Sequence, residues 1–192
     1  MSKLLFIAFP ISKKWSTVFH AYRRACVGDE LFKWATDENL HMTLVFLGAV
    51  DEELIPEIGD ALSEIAAIQQ PLLLEFKGVE YGPEGKTPSM VWARFKDNIH
   101  YGVLAGRVTE ELSYILGRIE ALTPMPHVTL ARFDKNMQKP KQLTELKDVG
   151  HRGEIMEVNQ MCLIESKMTQ SGSTYNTLAT FNFISVGNTQ AE

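Results

Sequence analysis

Hydrophobic and polar positions along the chain change period several times, and each change marks an element. Residues 3–9 form a short apolar run stopped by Pro10, the pattern of a buried strand. Over 13–25, Trp15, Val18, Phe19 and Tyr22 recur at helical spacing between charges and predict a first helix. After the triplet Phe32-Lys33-Trp34, the stretch 39–47 is rich in apolar and β-branched residues and predicts a strand ending at Gly48. From 51 to 69, Leu54, Ile58, Leu62 and Ile65 return at three- and four-residue steps. Asp51, Glu52 and Glu53 stand at the start, where negative charge suits a helix dipole.

Strands are predicted over 72–76 and 90–95, with a Gly- and Pro-rich loop at 81–88 between them. A further helix over 98–116 rests on Ile99, Val103, Leu104, Val108, Leu112, Ile115 and Leu116. Pro124 and Pro126 then lead into a strand at 127–133. Residues 134–150 are polar and weakly periodic, which predicts a surface loop with a short helix. The chain closes with strands at 158–165 and 175–183, joined by a turn over 169–173. Strand, helix, strands, helix, strands is the order of an α+β fold with helices packed on one side of the sheets. No linker or low-complexity tract divides residues 1–192, so one unit is expected.

Composition changes this picture little. At 192 residues, 45% hydrophobic and 22% charged, the chain can bury a core without staples, which excludes disordered and fibrous classes. Cys26 and Cys162 make neither a framework nor a C-x-x-C pair and read as reduced thiols of a cytoplasmic protein. The apolar run near the N-terminus is too short for a signal peptide, and nothing approaches a membrane span. A monomer is the default. The net charge of −5 excludes a nucleic-acid-coating surface but leaves room for a local basic pocket holding one phosphate.

The chemistry lies in a repeated tetrapeptide, His41-Met42-Thr43-Leu44 and His127-Val128-Thr129-Leu130. Two of the five histidines carry this signature, and that favours a duplicated site over coincidence. On a strand, His41 would project beside Thr43 and His127 beside Thr129, with the intervening apolar residues facing a core. If two lobes are related by an approximate two-fold axis, both pairs meet across one cleft. Two imidazoles and two hydroxyls suit hydrolysis of a phosphodiester with an internal leaving group. One histidine takes a proton from water, the other supplies one to the departing oxygen, and the threonines steady the charge. A shared zinc is the rival, but the motifs supply no third ligand, so no metal or other cofactor is expected. His20, His100 and His151 lack a companion pattern and are expected at the surface.

These residues resemble the two-histidine phosphoesterases, and among them the bacterial and archaeal RNA 2′,3′-cyclic phosphodiesterases, also called 2′-5′ RNA ligases. The resemblance runs through Leu5-Phe6-Ile7-Ala8-Phe9-Pro10, the stretch from Asn39 to Gly48, Val91-Trp92-Ala93, the stretch from Pro126 to Arg132, and Glu165-Ser166-Lys167 with Ser171-Gly172-Ser173-Thr174-Tyr175. It implies a bilobal fold with pseudo-two-fold lobes of antiparallel sheet, helices outside, one motif per lobe and a central cleft. The implied activity opens a 2′,3′-cyclic phosphate on an RNA end or a small nucleotide and leaves a 2′-phosphate, with reverse 2′-5′ ligation as a side reaction. It also implies His41 as proton donor and His127 as acceptor.

Relatives carry an arginine where Arg132 stands, and a guanidinium suits a phosphate. Strand alternation, however, points position 132 away from 127 and 129. Either a bulge or the strand end turns it inward, or it is a surface charge. Phe9 and Phe46 offer rings for a base, but the expectation for both is a place in the core. Two other readings keep the motifs: a phosphodiesterase of another cyclic phosphate or a 2′-5′ oligonucleotide, and a non-catalytic module that binds RNA ends.

Overall fold

The computed structural model describes residues 1–26, 32–83, 85, 87–117, 119, 125–133, 146–148, 150–169 and 172–184. In chain order these form β1 (Ser2–Pro10), α1 (Lys13–Ala25), β2 (Phe32–Trp34), β3 (His41–Asp51), α2 (Ile55–Ala66), β4 (Leu72–Gly82) and β5 (Met90–Phe95). They continue with α3 (Ile99–Leu116), β6 (His127–Phe133), β7 (Ile155–Val158), β8 (Gln160–Thr169) and β9 (Gly172–Asn182). The strands make two antiparallel sheets, one in the order β3-β1-β8-β9 and the other β2-β6-β5-β4-β7.

The sheets repeat one plan. In the first, β3 carries the first tetrapeptide and pairs with β1; in the second, β6 carries the other and pairs with β5. Behind those strands come β8 and β4, each joined to the next strand of its sheet. This is the bilobal α+β arrangement. The first sheet draws β8 and β9 from the far end of the chain, so the lobes are not sequence halves.

One face of each sheet is apolar and covered by helices. Leu5, Ile7 and Phe9 of β1 and Val91, Ala93 and Phe95 of β5 join a continuous core with Trp15 and Phe19 of α1, Ile58 and Leu62 of α2, and Leu104 and Val108 of α3. The predicted buried face of α1 is the observed one. In α3 the buried stripe is Tyr101, Leu104, Ala105, Val108 and Leu112, while Ile99 and Val103, expected inside, lie in solvent at 77% and 64% exposure. Asn98 sets that register: its side chain accepts the Tyr101 amide hydrogen at 3.0 Å and caps the helix.

Several boundaries move. The strand expected to stop at Gly48 continues to Asp51, because Gly48 takes φ +75° within it, opposite Leu5, with Leu47 left over. Only 3₁₀ structure covers Glu52–Leu54 before α2, which ends at Ala66. β4 extends through Tyr81 and Gly82, expected in the loop, and β7 is an unforeseen edge strand. Residues 134–145 and 149 lie outside the described residues, so the loop and short helix expected there do too. Among the described residues no helix is long and apolar enough to cross a membrane.

Candidate active site

Each tetrapeptide opens its strand. His41 begins β3 and His127 begins β6. Alternation then divides the residues as expected: Met42, Leu44, Val128 and Leu130 are buried in the core. His41, Thr43, His127 and Thr129 are half-buried on the opposite face.

The two imidazoles are held in the same way. Nδ1 of His41 donates to the Asn39 carbonyl and Nδ1 of His127 to the Met125 carbonyl, both at 2.8 Å. A carbonyl only accepts, so Nδ1 carries a hydrogen in each ring. Nε2 is then a base when the ring is neutral and an acid when it is charged. The acceptors arise locally. Asn39 closes the 3₁₀ turn Asp37–Asn39, where carbonyls lack helical partners. The Pro126 carbonyl next to Met125 is itself fixed by the Phe95 amide at 3.0 Å.

Just beyond each threonine the strand takes one extra residue. Thr129 lies opposite Trp92 and Ala131 opposite Val91, leaving Leu130 unmatched; Thr43 lies opposite Ala8 and Val45 opposite Ile7, leaving Leu44. Each bulge resets the alternation. Arg132, opposite Met90, therefore returns to the histidine face, and so does Phe46, opposite Phe6. Of the two alternatives for Arg132, the bulge is the one observed. Its guanidinium touches the Met90 sulfur at 3.0 Å and is close enough for its charge to act on both histidines. Phe46 occupies the equivalent place in the other lobe and is 52% exposed, so the core assignment fails for it. It holds for Phe9, fully buried against Tyr101 and Phe183.

The surroundings of the two histidines differ. His41 meets a small apolar cluster of Phe6, Ala8, Cys162 and Ile164 through Phe6 and through Tyr175, which packs on it. Its ring lies 5.0 Å from Phe6 and 4.8 Å from Tyr175, which meets it edge-on. His127 lies against the face of Trp92, with centroids 4.1 Å apart and planes inclined by 33°. Beside it, buried Arg94 donates from Nε to Glu80 at 2.7 Å and from Nη1 to the Pro126 carbonyl at 3.2 Å.

Burial is the main influence on both rings and favours their neutral forms. It takes His41 down to about 4, against the opposing bond to Asn39, with the charges of Arg132 and His127 adding to the fall. His127 is also lowered, chiefly by burial and with Arg94 and Arg132 contributing, while the Met125 bond and Glu80 oppose. His41 has no carboxylate among its influences.

Sequence reasoning named His41, Thr43, His127, Thr129 and Arg132; the structure sets His41 and Thr43 on the histidine face of the first sheet and His127, Thr129 and Arg132 on that of the second. It missed Trp92, Arg94, Glu80 and Tyr101. A signal existed for Arg94, a charge alternating with Val91, Ala93 and Phe95 in an apolar strand. None existed for Tyr101, whose hydroxyl donates to the Thr43 carbonyl at 2.6 Å from α3. Of the other histidines, His20 pairs with Asp37, His151 with Glu154, and His100 is exposed. Among the described residues no three His, Cys, Asp or Glu side chains gather to hold a metal.

A family model described as LigT-like phosphoesterase matches residues 12–92, which include the first tetrapeptide. An RNA 2′,3′-cyclic phosphodiesterase of Archaeoglobus fulgidus is 33% identical over 144 residues, 75% of this chain and 80% of that protein. Another, from Aquifex aeolicus, is 28% identical over 180 residues, 92% of this chain and 95% of its own. The crystal structure of TT0787 of Thermus thermophilus has the same fold, with a TM-score of 0.79 at 24% identity over 94% of this chain and 97% of that one.

Proposed function

The chain belongs to the LigT-like phosphoesterase family, whose matching members are RNA 2′,3′-cyclic phosphodiesterases, and we propose that it opens such cyclic phosphates by two-histidine acid–base catalysis without a metal. The observation that carries this reading is the matched pair of imidazoles, each pinned at Nδ1 by the carbonyl two residues back, with Nε2 left for proton transfer.

In the proposed reaction His127 starts neutral and His41 protonated. Nε2 of His127 takes a proton from water as the water oxygen attacks phosphorus. The bond from phosphorus to the 3′ oxygen breaks, and Nε2 of His41 gives its proton to that oxygen, leaving a 2′-phosphate. Thr43 and Thr129 donate hydrogen bonds to the non-bridging oxygens, and Arg132 meets the charge they develop. Proton exchange with solvent restores the starting state, and in 2′-5′ ligation the 5′-hydroxyl of a second RNA end takes the place of the attacking water.

The free site opposes a protonated His41. Burial and the neighbouring charges make it a poor proton holder, and a strong acid once protonated. The anionic phosphodiester supplies the missing counter-charge, so binding and protonation rise together. An acidic protein whose site carries an exposed Arg132 and a buried Arg94 suits an RNA end or a small cyclic nucleotide better than a long RNA. We place it in the cytoplasm as a monomer, with no membrane partner.

Incubation with 2′,3′-cyclic AMP in EDTA, followed by chromatography, tests the reading. The expected product is 2′-AMP. Formation of 3′-AMP would reverse the assigned direction, and loss of turnover on metal removal would end the metal-free scheme.

A further inference from the structure

The lobes match at the histidines and threonines and differ where β5 and β1 run beside them. Position 92 of β5 corresponds to position 8 of β1, each paired to the motif threonine. Ala8 leaves His41 to Phe6 and Tyr175, whereas Trp92 puts an indole face 4.1 Å from the ring of His127. The indole is only 7% exposed and is seated over Gly82 of β4, where any Cβ would fall inside the ring's van der Waals envelope. β4 therefore ends on a glycine, whose missing side chain lets the indole approach the backbone closely.

From this seat-and-platform arrangement we propose that Trp92 is a positioning residue that makes His127 the proton acceptor, its π face holding the imidazole in place and favouring the imidazolium formed when water gives up its proton. The proposal rests on the acid–base reading above. Groups of four elements bear on His127: Arg94 on β5, Glu80 on β4 with Lys77 paired to it, Arg132 on β6, and His41 on β3. The cations oppose charge on His127, and Glu80 is shared with Arg94 and Lys77. Besides the Met125 carbonyl, which holds Nδ1, the indole face is a contact that favours the charged ring without being spent on another cation.

The test compares Trp92→Phe, which keeps an aromatic face, with Trp92→Leu, which removes it, and Gly82→Ala, which pushes the indole off its seat. His127 is titrated by NMR in substrate-free protein, and kcat and KM for 2′,3′-cyclic AMP are measured across pH. Trp92→Leu and Gly82→Ala are expected to lower the His127 pKa by about half a unit or more and kcat by about tenfold, with KM within about twofold. Trp92→Phe should keep most of both. Equal losses in Trp92→Phe and Trp92→Leu, or an unchanged His127 titration in Trp92→Leu, would overturn the proposal. Gly82→Ala carries the same test if Trp92→Leu does not fold. The titration needs no substrate, so it decides the role of Trp92 even if cyclic phosphates prove not to be turned over.

Discussion

His41 and His127 each offer one nitrogen for proton transfer, and removing either leaves the strand ladder intact because neither side chain takes part in it. His41→Ala and His127→Ala are therefore expected to lose turnover by about 10²–10⁴-fold while keeping a native circular dichroism spectrum. Near-full activity in either variant would end the two-histidine mechanism. Arg132 is a different case, because the bulge at Leu130 brings its charge to the site while leaving its guanidinium exposed. Arg132→Met should raise KM for 2′,3′-cyclic AMP by about tenfold or more, and lysine should recover only part, since a point charge lacks the planar fork. An unchanged KM in Arg132→Met would make the residue a surface charge after all.

The elements show which parts of the site are legible in the sequence. The tetrapeptides predict their own geometry because a strand's period of two is local: knowing His41 sits on β3 is enough to place Thr43 beside it and Met42 behind it. The bulges stay hidden because Leu44 and Leu130 look like ordinary core residues, and only pairing with β1 and β5 reveals that each is unmatched. Gly82 looks like loop chemistry for a similar reason, since its purpose is the ring of Trp92 on the next strand. The Tyr101 hydroxyl is the clearest case of a tie no pattern announces, joining α3 to the Thr43 carbonyl at the bulge of β3. Tyr101→Phe keeps the buried ring and removes this bond, leaving the part-buried Thr43 carbonyl without it. A loss of about 1–2 kcal/mol in unfolding free energy is expected, together with a lower kcat from a looser Thr43. A variant as stable and active as the parent would show that the tether carries no weight.

Burial of both histidines links catalysis and stability through pH across the whole molecule. In the unfolded chain each imidazole titrates near its ordinary 6.5, whereas folding takes His41 to about 4 and lowers His127 as well. Below pH 6.5 the unfolded chain thus binds protons that the native state refuses, so stability falls as pH drops from 6.5 towards 4 and is unaffected by these groups above that range. His41 alone accounts for a loss on the order of 2–4 kcal/mol, an upper bound given partial solvent access. Urea unfolding at about pH 7.5 and about pH 5 should show it, and His41→Gln should flatten the difference. The same shifts set the activity. Turnover needs one ring charged and one neutral, so with both lowered the kcat/KM bell of the free enzyme should peak below pH 6.5, more acidic than unperturbed imidazoles imply. The bound phosphodiester's negative charge raises both rings, so the kcat bell, which reports the complex, should lie at higher pH. A kcat/KM optimum at or above about pH 7 would mean that the empty site does not disfavour the charged histidines, and the dependence of His41 protonation on substrate charge would go with it.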